Sequence, residues 1–258
     1  EWIEAAKKLT VDKNGDGEPD TWGIYIETTP DFEFHNFASF LWQTGNEFVA
    51  SDGKCGFNNE DGKKALQFIY DIIYTHKVCP PPGKFAQPNL NVELFTKGVS
   101  AMYLGQIQDV NNIRNASPDM KFGMALLPKG PAKDEIKARG TYGTNGMLSI
   151  ASKSKHIDVA WKFISYITKP EIESKYYKLR GFLSPQTETN KLLFTDDPLM
   201  EIAKENVKYQ KAYPVLSNYP EYERIMKDMA NQVVLKSKSP DEALAEAAKK
   251  MDELAAAK

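Results

Sequence analysis

The stretch "EWIEAAKKLTVDKNGDGEPDTWGIYI", residues 1–26, sets a helix, an oxygen-rich loop and a strand in a row. Trp2, Ala5, Ala6 and Leu9 share one face of an amphipathic helix. In the loop, Asp12, Asn14, Asp16 and Asp20 stand at ligand positions one, three, five and nine of an EF-hand, with Gly17 at the bend and a Glu18 backbone carbonyl at seven. Position twelve breaks the match. A calcium sensor places a bidentate glutamate there, and this chain has Gly23. "TWGIYI" is aromatic and β-branched, so it reads as a strand and not as an exit helix. Helix, loop and strand open an α/β fold, with the loop as a static Ca²⁺ clamp. The competing reading is a polar turn that binds nothing, since Asp, Asn and Gly are ordinary turn residues.

Outward from this start, the 258 residues suffice for one large or two modest α/β domains, and 41% hydrophobic content supplies a core. Against 33 basic residues stand 35 acidic ones, a net charge of -2 with no long run of either sign. That is no footprint for nucleic acid or for an anionic membrane. No apolar run has the length of a bilayer span. The first residues form an amphipathic helix, so any export signal is expected to have been removed or to lie upstream. Cys55 and Cys79 exclude a four-cysteine zinc site and leave either a disulfide or two separate thiols.

Further along, "FHNFASFLWQTGN" puts Phe34, Phe37, Ala38 and Leu41 on one helical face, with an irregular entry at Asp31 to Glu33. A helix over 61–76, striped by Ala65, Phe68, Ile69, Ile72 and Ile73, ends at "CPPPG". A short helix ending "ELFTKG", a strand "SAMYL", a helix around "IQDVNNIRN" and a strand "FGMALL" continue the alternation. "PKGPAKDEIKARGTYGTNG" reads as a loop leading to another strand, "MLSIAS". Helices are then expected at 156–168, 171–178, 199–213, 219–236 and 241–257, the last capped by Ser239 and Pro240. Trp161 in "DVAWKFI" is assigned to the core face of its helix.

Patterns for enzyme chemistry are absent from the sequence: it has no G-x-S-x-G, no phosphate-binding glycine loop and no H-E-x-x-H. His35, His76 and His156 are far apart in sequence. Asp31 and Glu33 could in principle serve glycoside hydrolysis, but pairs of this kind arise by chance among 35 acids.

Six segments, in order, carry a resemblance. They are "EWIEAAKKLT" with "DKNGDGEPDTWGI", "FLWQTGNEFVASDGKCGFNNEDGKKALQFIYDI", "LFTKGVSAMYLG", "FGMALLPKG", "GMLSIASKSKHIDVAWKFISYITKPE" and "RGFLSPQTE". Together the chain resembles the extracellular solute-binding proteins of sugar ABC transporters, the family that includes maltose-binding protein. The resemblance implies a two-lobed α/β protein of the type II periplasmic-binding class that closes on a small saccharide and delivers it to the transmembrane subunits of an ABC permease. It implies an extracytoplasmic location, no enzymatic activity and no nucleic-acid partner.

Correspondence with the family's ligand positions selects His35, Asn36, Trp42, Gln106, Gln108, Thr141, Tyr142, Arg180 and Tyr219. Many members carry a tryptophan after the "AM" strand where this chain has "GQIQ", so amide hydrogen bonding is expected in place of a stacking platform. Trp42 fits packing as well as ligand contact. Some members also carry an aspartate-rich loop between the first helix of the second lobe and its strand, which suits structural Ca²⁺ on Asp12, Asn14, Asp16, Glu18 and Asp20.

By the same resemblance the chain begins where the second lobe begins. Residues 1–146 form its main part, 147–192 an excursion into the first lobe, and 193–258 the returning helices; most of the first lobe is missing. The excursion, with Ile157, Val159, Trp161, Phe163, Ile164 and Ile167, is expected to expose an apolar patch. The alternative functions are an extracellular carbohydrate-active enzyme and a calcium-stabilised structural module.

Overall fold

The computed structural model describes residues 1–85, 87, 89–144, 146–216 and 218–257, without the side chains of residues 30–34. Phe34 and the acidic pair Asp31 and Glu33 therefore lie outside the described side chains. In chain order the elements are α1 (Trp2–Leu9), α2 (Pro30–Gln43), α3 (Glu60–Tyr70), α4 (Asn91–Thr96), α5 (Asp109–Ala116), α6 (Glu135–Ala138) and β1 (Thr141–Tyr142). Then come α7 (Ile157–Ile167), α8 (Pro170–Arg180), α9 (Thr187–Asn190), α10 (Pro198–Asn206), β2 (Gln210–Lys211), α11 (Tyr219–Val234) and α12 (Pro240–Ala256). The mixture is α/β but rich in helix. It divides into two compact units.

The larger unit comprises Glu1–Gly105, Leu127–Tyr142 and Tyr209–Lys258. Its core is apolar and aromatic: Phe37, Leu41, Trp42, Phe57, Leu66, Ile72, Met229, Val233 and Met251 are almost fully buried on α2, α3, α11, α12 and their connections. Trp2 of α1 packs on Phe40 and Phe68, with ring centroids 6.4 and 6.2 Å away. "TWGIYI" runs parallel to "SAMYL", bridged at Trp22 with Ser100 and Tyr25 with Tyr103. The Trp22 and Tyr25 amides donate to the carbonyls of Val99 and Met102 at 2.8 and 2.7 Å.

Gly23 has a packing reason. A Cβ there would lie 2.0 Å from the Ala6 carbonyl oxygen, so only glycine lets this strand cross α1. Two helix starts follow the sequence closely. Asn59 caps α3 by accepting from the amides of Asp61 and Gly62, and Ser239 forms a reciprocal capping box with Glu242 at the start of α12.

The smaller unit comprises Gln106–Leu126 and Gly143–Lys208. Its core is slight, with Val110, Met200 and Ala203 buried beneath Phe122, Met124 and Leu183. Polar groups carry much of the rest. The Glu173 carboxylate, 8% exposed, accepts from the hydroxyls of Ser184 and Thr189, each at 2.6 Å. Arg114 holds Asp197 with two bonds, Nη1 to Oδ2 at 2.6 Å and Nη2 to Oδ1 at 3.0 Å.

Several elements differ from expectation. Helix α2 begins at Pro30, whose fixed φ suits the first helical turn, so the irregular entry at Asp31 to Glu33 is absent. The helix expected over 61–76 turns π-helical at Asp71–Thr75, and the one expected to reach residue 213 ends at Asn206. Neither "FGMALL" nor "MLSIAS" pairs with another strand among the described residues. Strand composition shows only that a segment fits a pleated surface; ladder partners make it a strand.

Trp161 is not core. It is 62% exposed, and no residue of α7 is fully buried: Ala160, Ile164 and Ile167 are half-buried, while Ile157, Val159, Trp161 and Phe163 stay exposed. Met147, Leu148, Ile157, Val159, Phe163 and Leu179 are exposed with it, as expected of this apolar excursion. The smaller unit runs over 143–208 and takes in 106–126, against the 147–192 expected for the excursion. Both cysteines are free thiols, Cys79 buried and Cys55 partly so. Burial pushes the Cys55 thiol up to about 11 and the Cys79 thiol up to about 12.

Candidate functional site

In the larger unit three stretches of chain converge on one stack of rings. Helix α2 contributes His35 and, one turn on, Ser39. The Ser39 hydroxyl donates to the His35 carbonyl at 3.2 Å and accepts the Tyr142 amide at 3.3 Å, which stitches β1 to the helix. Strand β1 in turn pairs in parallel with β2, Thr141 opposite Gln210 and Tyr142 opposite Lys211, and the chain leaving β2 brings in Tyr213.

The result is a stack. His35 and Tyr142 lie 4.5 Å apart between centroids at an interplanar angle of 24°. Tyr142 and Tyr213 lie 4.7 Å apart, also at 24°. A hydrogen bond joins His35 Nδ1 and the Tyr213 hydroxyl. Tyr219, the first residue of α11, stands 5.9 Å from Tyr213. Beneath them Trp42, 1% exposed, lies 5.7 Å from Tyr213 and edge-on to Phe48 at 5.4 Å.

Trp42 is therefore floor, and the half-buried tyrosines above it offer ring faces and hydroxyls. Burial first, then neighbouring phenols and the Glu223 carboxylate, raise the Tyr213 phenol far above its ordinary value. Burial also raises Tyr219, ahead of Glu223 and Tyr142. Both keep their protons at neutral pH. Rings with C–H-binding faces beside fixed O–H groups are what a small polyhydroxylated molecule needs.

Of the residues selected from the sequence, the structure brings together His35, Trp42, Tyr142 and Tyr219. Asn36 and Thr141 are their half-buried chain neighbours. Gln106, Gln108 and Arg180 belong to the smaller unit. There the Gln108 amide donates to the Gln106 side-chain oxygen at 2.6 Å, and exposed Arg180 ends α8 with its guanidinium 5.8 Å from the Phe182 ring centre. Tyr213 was missed. Reading "YQKAY" as the end of a helix hid it, although the proline after it signals a loop.

The aspartate-rich loop closes on itself. Asp12 accepts from the amides of Gly15 and Gly17 at 2.7 and 2.9 Å, Asn14 from Asp16, Asp16 from Glu18 and Asp20 from Lys13. The Gly17 and Gly15 amides hold the Asp12 carboxyl below the usual carboxylate range. The donor atoms are hard oxygens, suited to calcium. Yet no group of three or more Asp, Glu, His or Cys converges as metal ligands do among the described residues. An ion pair from Lys84 to Glu18 adds to these backbone contacts.

Such a site presents ring faces and phenolic hydroxyls to a bound molecule. Residues 1–202 match the family of bacterial extracellular solute-binding proteins, and the chain belongs to that family. An arabinooligosaccharide-binding protein of Bacillus subtilis is 27% identical over 148 residues, which is 57% of this chain and 34% of that protein. Among solved structures, the maltose/maltodextrin-binding domain of Bdellovibrio bacteriovorus, bound to maltotriose, is 24% identical with a TM-score of 0.77, covering 98% of this chain and 65% of that one. A solute-binding protein from Thermotoga lettingae, bound to α-D-tagatose, is 23% identical with a TM-score of 0.82, covering 98% and 63%. The fold is thus that of the periplasmic sugar-binding proteins. The chain spans about half the length, 51%, of a curated binding protein of Brucella abortus that it matches.

Proposed function

We propose that this chain is part of the carbohydrate-binding component of an ABC importer, working outside the cytoplasmic membrane and passing a small saccharide to permease transmembrane subunits. The stack of His35, Tyr142 and Tyr213 carries the reading. The saccharides bound by relatives and neighbours, arabinooligosaccharide, maltotriose and tagatose, support the class and leave the particular sugar open.

Gln106, Gln108 and Arg180 are proposed as further ligand contacts, and an additional first-lobe segment as the cover of the apolar residues around Trp161. Calcium in the loop of Asp12, Asn14, Asp16, Glu18 and Asp20 is proposed on its oxygen spacing.

Calorimetric titration with maltotriose, arabinotriose and tagatose tests the reading. At least one is expected to bind without release of reducing ends, and Tyr142→Ala to weaken it by about 1 kcal/mol or more. Turnover of the sugar would return the enzyme reading. An isotherm unchanged by the substitution would remove Tyr142 from the site.

A further inference from the structure

The three rings of the stack do not form a column. His35 and Tyr213, 20° from parallel with centroids 5.7 Å apart, are joined at their edges by the bond between Nδ1 and the hydroxyl. Tyr142 lies 24° from each, 4.5 Å from the His35 centroid and 4.7 Å from that of Tyr213, so its face covers the pair. The imidazole is thereby held by the bond at its edge and by Tyr142 on its face. Below it, the Ser39 hydroxyl ties the His35 carbonyl to the Tyr142 amide.

A neutral imidazole has one N–H and one nitrogen that only accepts, and the partner of one nitrogen decides the state of the other. Here the partner is a phenol. Its oxygen lone pair is drawn into the ring, so a phenol donates better than it accepts, whereas a bare imidazole nitrogen is a strong acceptor. Tyr213 keeps its proton at neutral pH, because burial, ahead of Tyr142, Tyr219 and Glu223, raises its phenol. The hydroxyl therefore donates to Nδ1, and the imidazole proton stays on Nε2. The near-parallel rings suit this bond, since the Nδ1 lone pair and the phenol O–H each lie in the plane of their own ring.

We propose that Tyr213 is a positioning residue for His35: its hydroxyl fixes the Nε2–H tautomer and so makes His35 a hydrogen-bond donor to the saccharide and not an acceptor from it. The role of His35 toward a sugar rests on the saccharide reading above; the tautomer does not. A sugar oxygen can accept from a fixed N–H with no proton shift on binding. An imidazole that exchanged between tautomers would bind more weakly, in proportion to the fraction in the wrong form.

Nitrogen NMR of the full chain, isotope-labelled at histidine and held at pH 8, reads the tautomer without any sugar. The chain has three histidines, His35, His76 and His156, and the signals lost in His35→Gln assign His35. Two well-separated resonances are expected, Nδ1 bare and Nε2 protonated, and Tyr213→Phe should draw them together as the tautomers begin to exchange. A protonated Nδ1, or a pattern unchanged in Tyr213→Phe, would overturn the positioning role and leave the saccharide reading standing. Calorimetric titration with maltotriose, arabinotriose and tagatose then tests the donor. His35→Asn, whose short amide cannot replace the Nε2–H, should weaken binding about fivefold, the scale of one net hydrogen bond. His35→Gln, whose amide reaches that position, should weaken it less; both variants are checked for native circular dichroism. Equal losses in the two would overturn the donor role. If none of the three sugars binds the wild type, the saccharide reading fails and the donor role falls with it.

Discussion

Replacing Tyr213 tests whether the ring stack is organised as described. Its ring lies within 6 Å of five others: His35 at 5.7 Å, Trp42 at 5.7 Å, Phe48 at 5.6 Å, Tyr142 at 4.7 Å and Tyr219 at 5.9 Å. Two substitutions separate its contributions. Tyr213→Phe keeps the ring and removes the hydroxyl bonded to His35 Nδ1, a loss of about 1 kcal/mol for one net hydrogen bond. Tyr213→Ala also removes the ring. A fully buried aromatic truncated to alanine costs about 3–5 kcal/mol, and Tyr213 is half-buried, so about 2–3 kcal/mol is expected. Urea unfolding followed by tryptophan fluorescence reads both, with the slope held against wild type to exclude a change in the unfolded state. A Tyr213→Ala protein within about 0.5 kcal/mol of wild type would refute the stack as a packed unit. Equal losses for the two variants would assign the whole effect to the hydroxyl.

Asp197→Asn keeps the bond that caps α10, an oxygen accepting the Leu199 amide, and removes the charge facing Arg114. The Arg114 guanidinium holds the Asp197 carboxyl below its ordinary value, so its stabilisation is complete above the unfolded value of about 3.9 and is lost as pH falls through the folded one. Since Arg114 is 43% exposed, the variant should lose at most about 1 kcal/mol at pH 7, with the difference vanishing in acid denaturation curves once pH falls through the lowered value of the folded Asp197 carboxyl. A gap that persists at low pH would assign the effect to geometry and not to charge. For the loop over 12–20, added Ca²⁺ should raise the melting temperature and a chelator lower it, and Asp16→Ala should abolish both responses. Chelator sensitivity that survives Asp16→Ala would remove the proposed site.

Much of the fold could be read from periodicity and caps because those signals are local. The box at Ser239 and Glu242 and the stripe of α3 depend only on near neighbours, and the structure keeps them. Strands could not be read in the same way. "MLSIAS" has strand composition, but a ladder needs a partner that no local pattern supplies, and Met147 is 90% exposed. Gly23 shows the same limit at one residue: the sequence presents it as a missing ligand, while its cause is a backbone crossing at α1, seventeen residues earlier at Ala6. In the site, Tyr142 and Tyr219 were reachable by resemblance. Tyr213 becomes visible only when the β1–β2 pair is placed in space.

The β1–β2 pair has a further consequence, for how this chain tolerates change. The polypeptide leaves the larger unit after Tyr142 and re-enters it at Tyr209, and Tyr142 and Gln210 both lie in rungs of that parallel pair. Residues 143–208 thus leave and return through that pair, and the chain entropy of bringing their two ends together from the unfolded state grows only with the logarithm of their number. Doubling such a loop costs about 0.6 kcal/mol, less than a single good hydrogen bond. Insertions in the surface loops of this segment can therefore proceed with little effect on the register that sets Tyr142 beside Tyr213. A ring stack mounted at the neck of an insertion keeps its register whatever the length of the insertion.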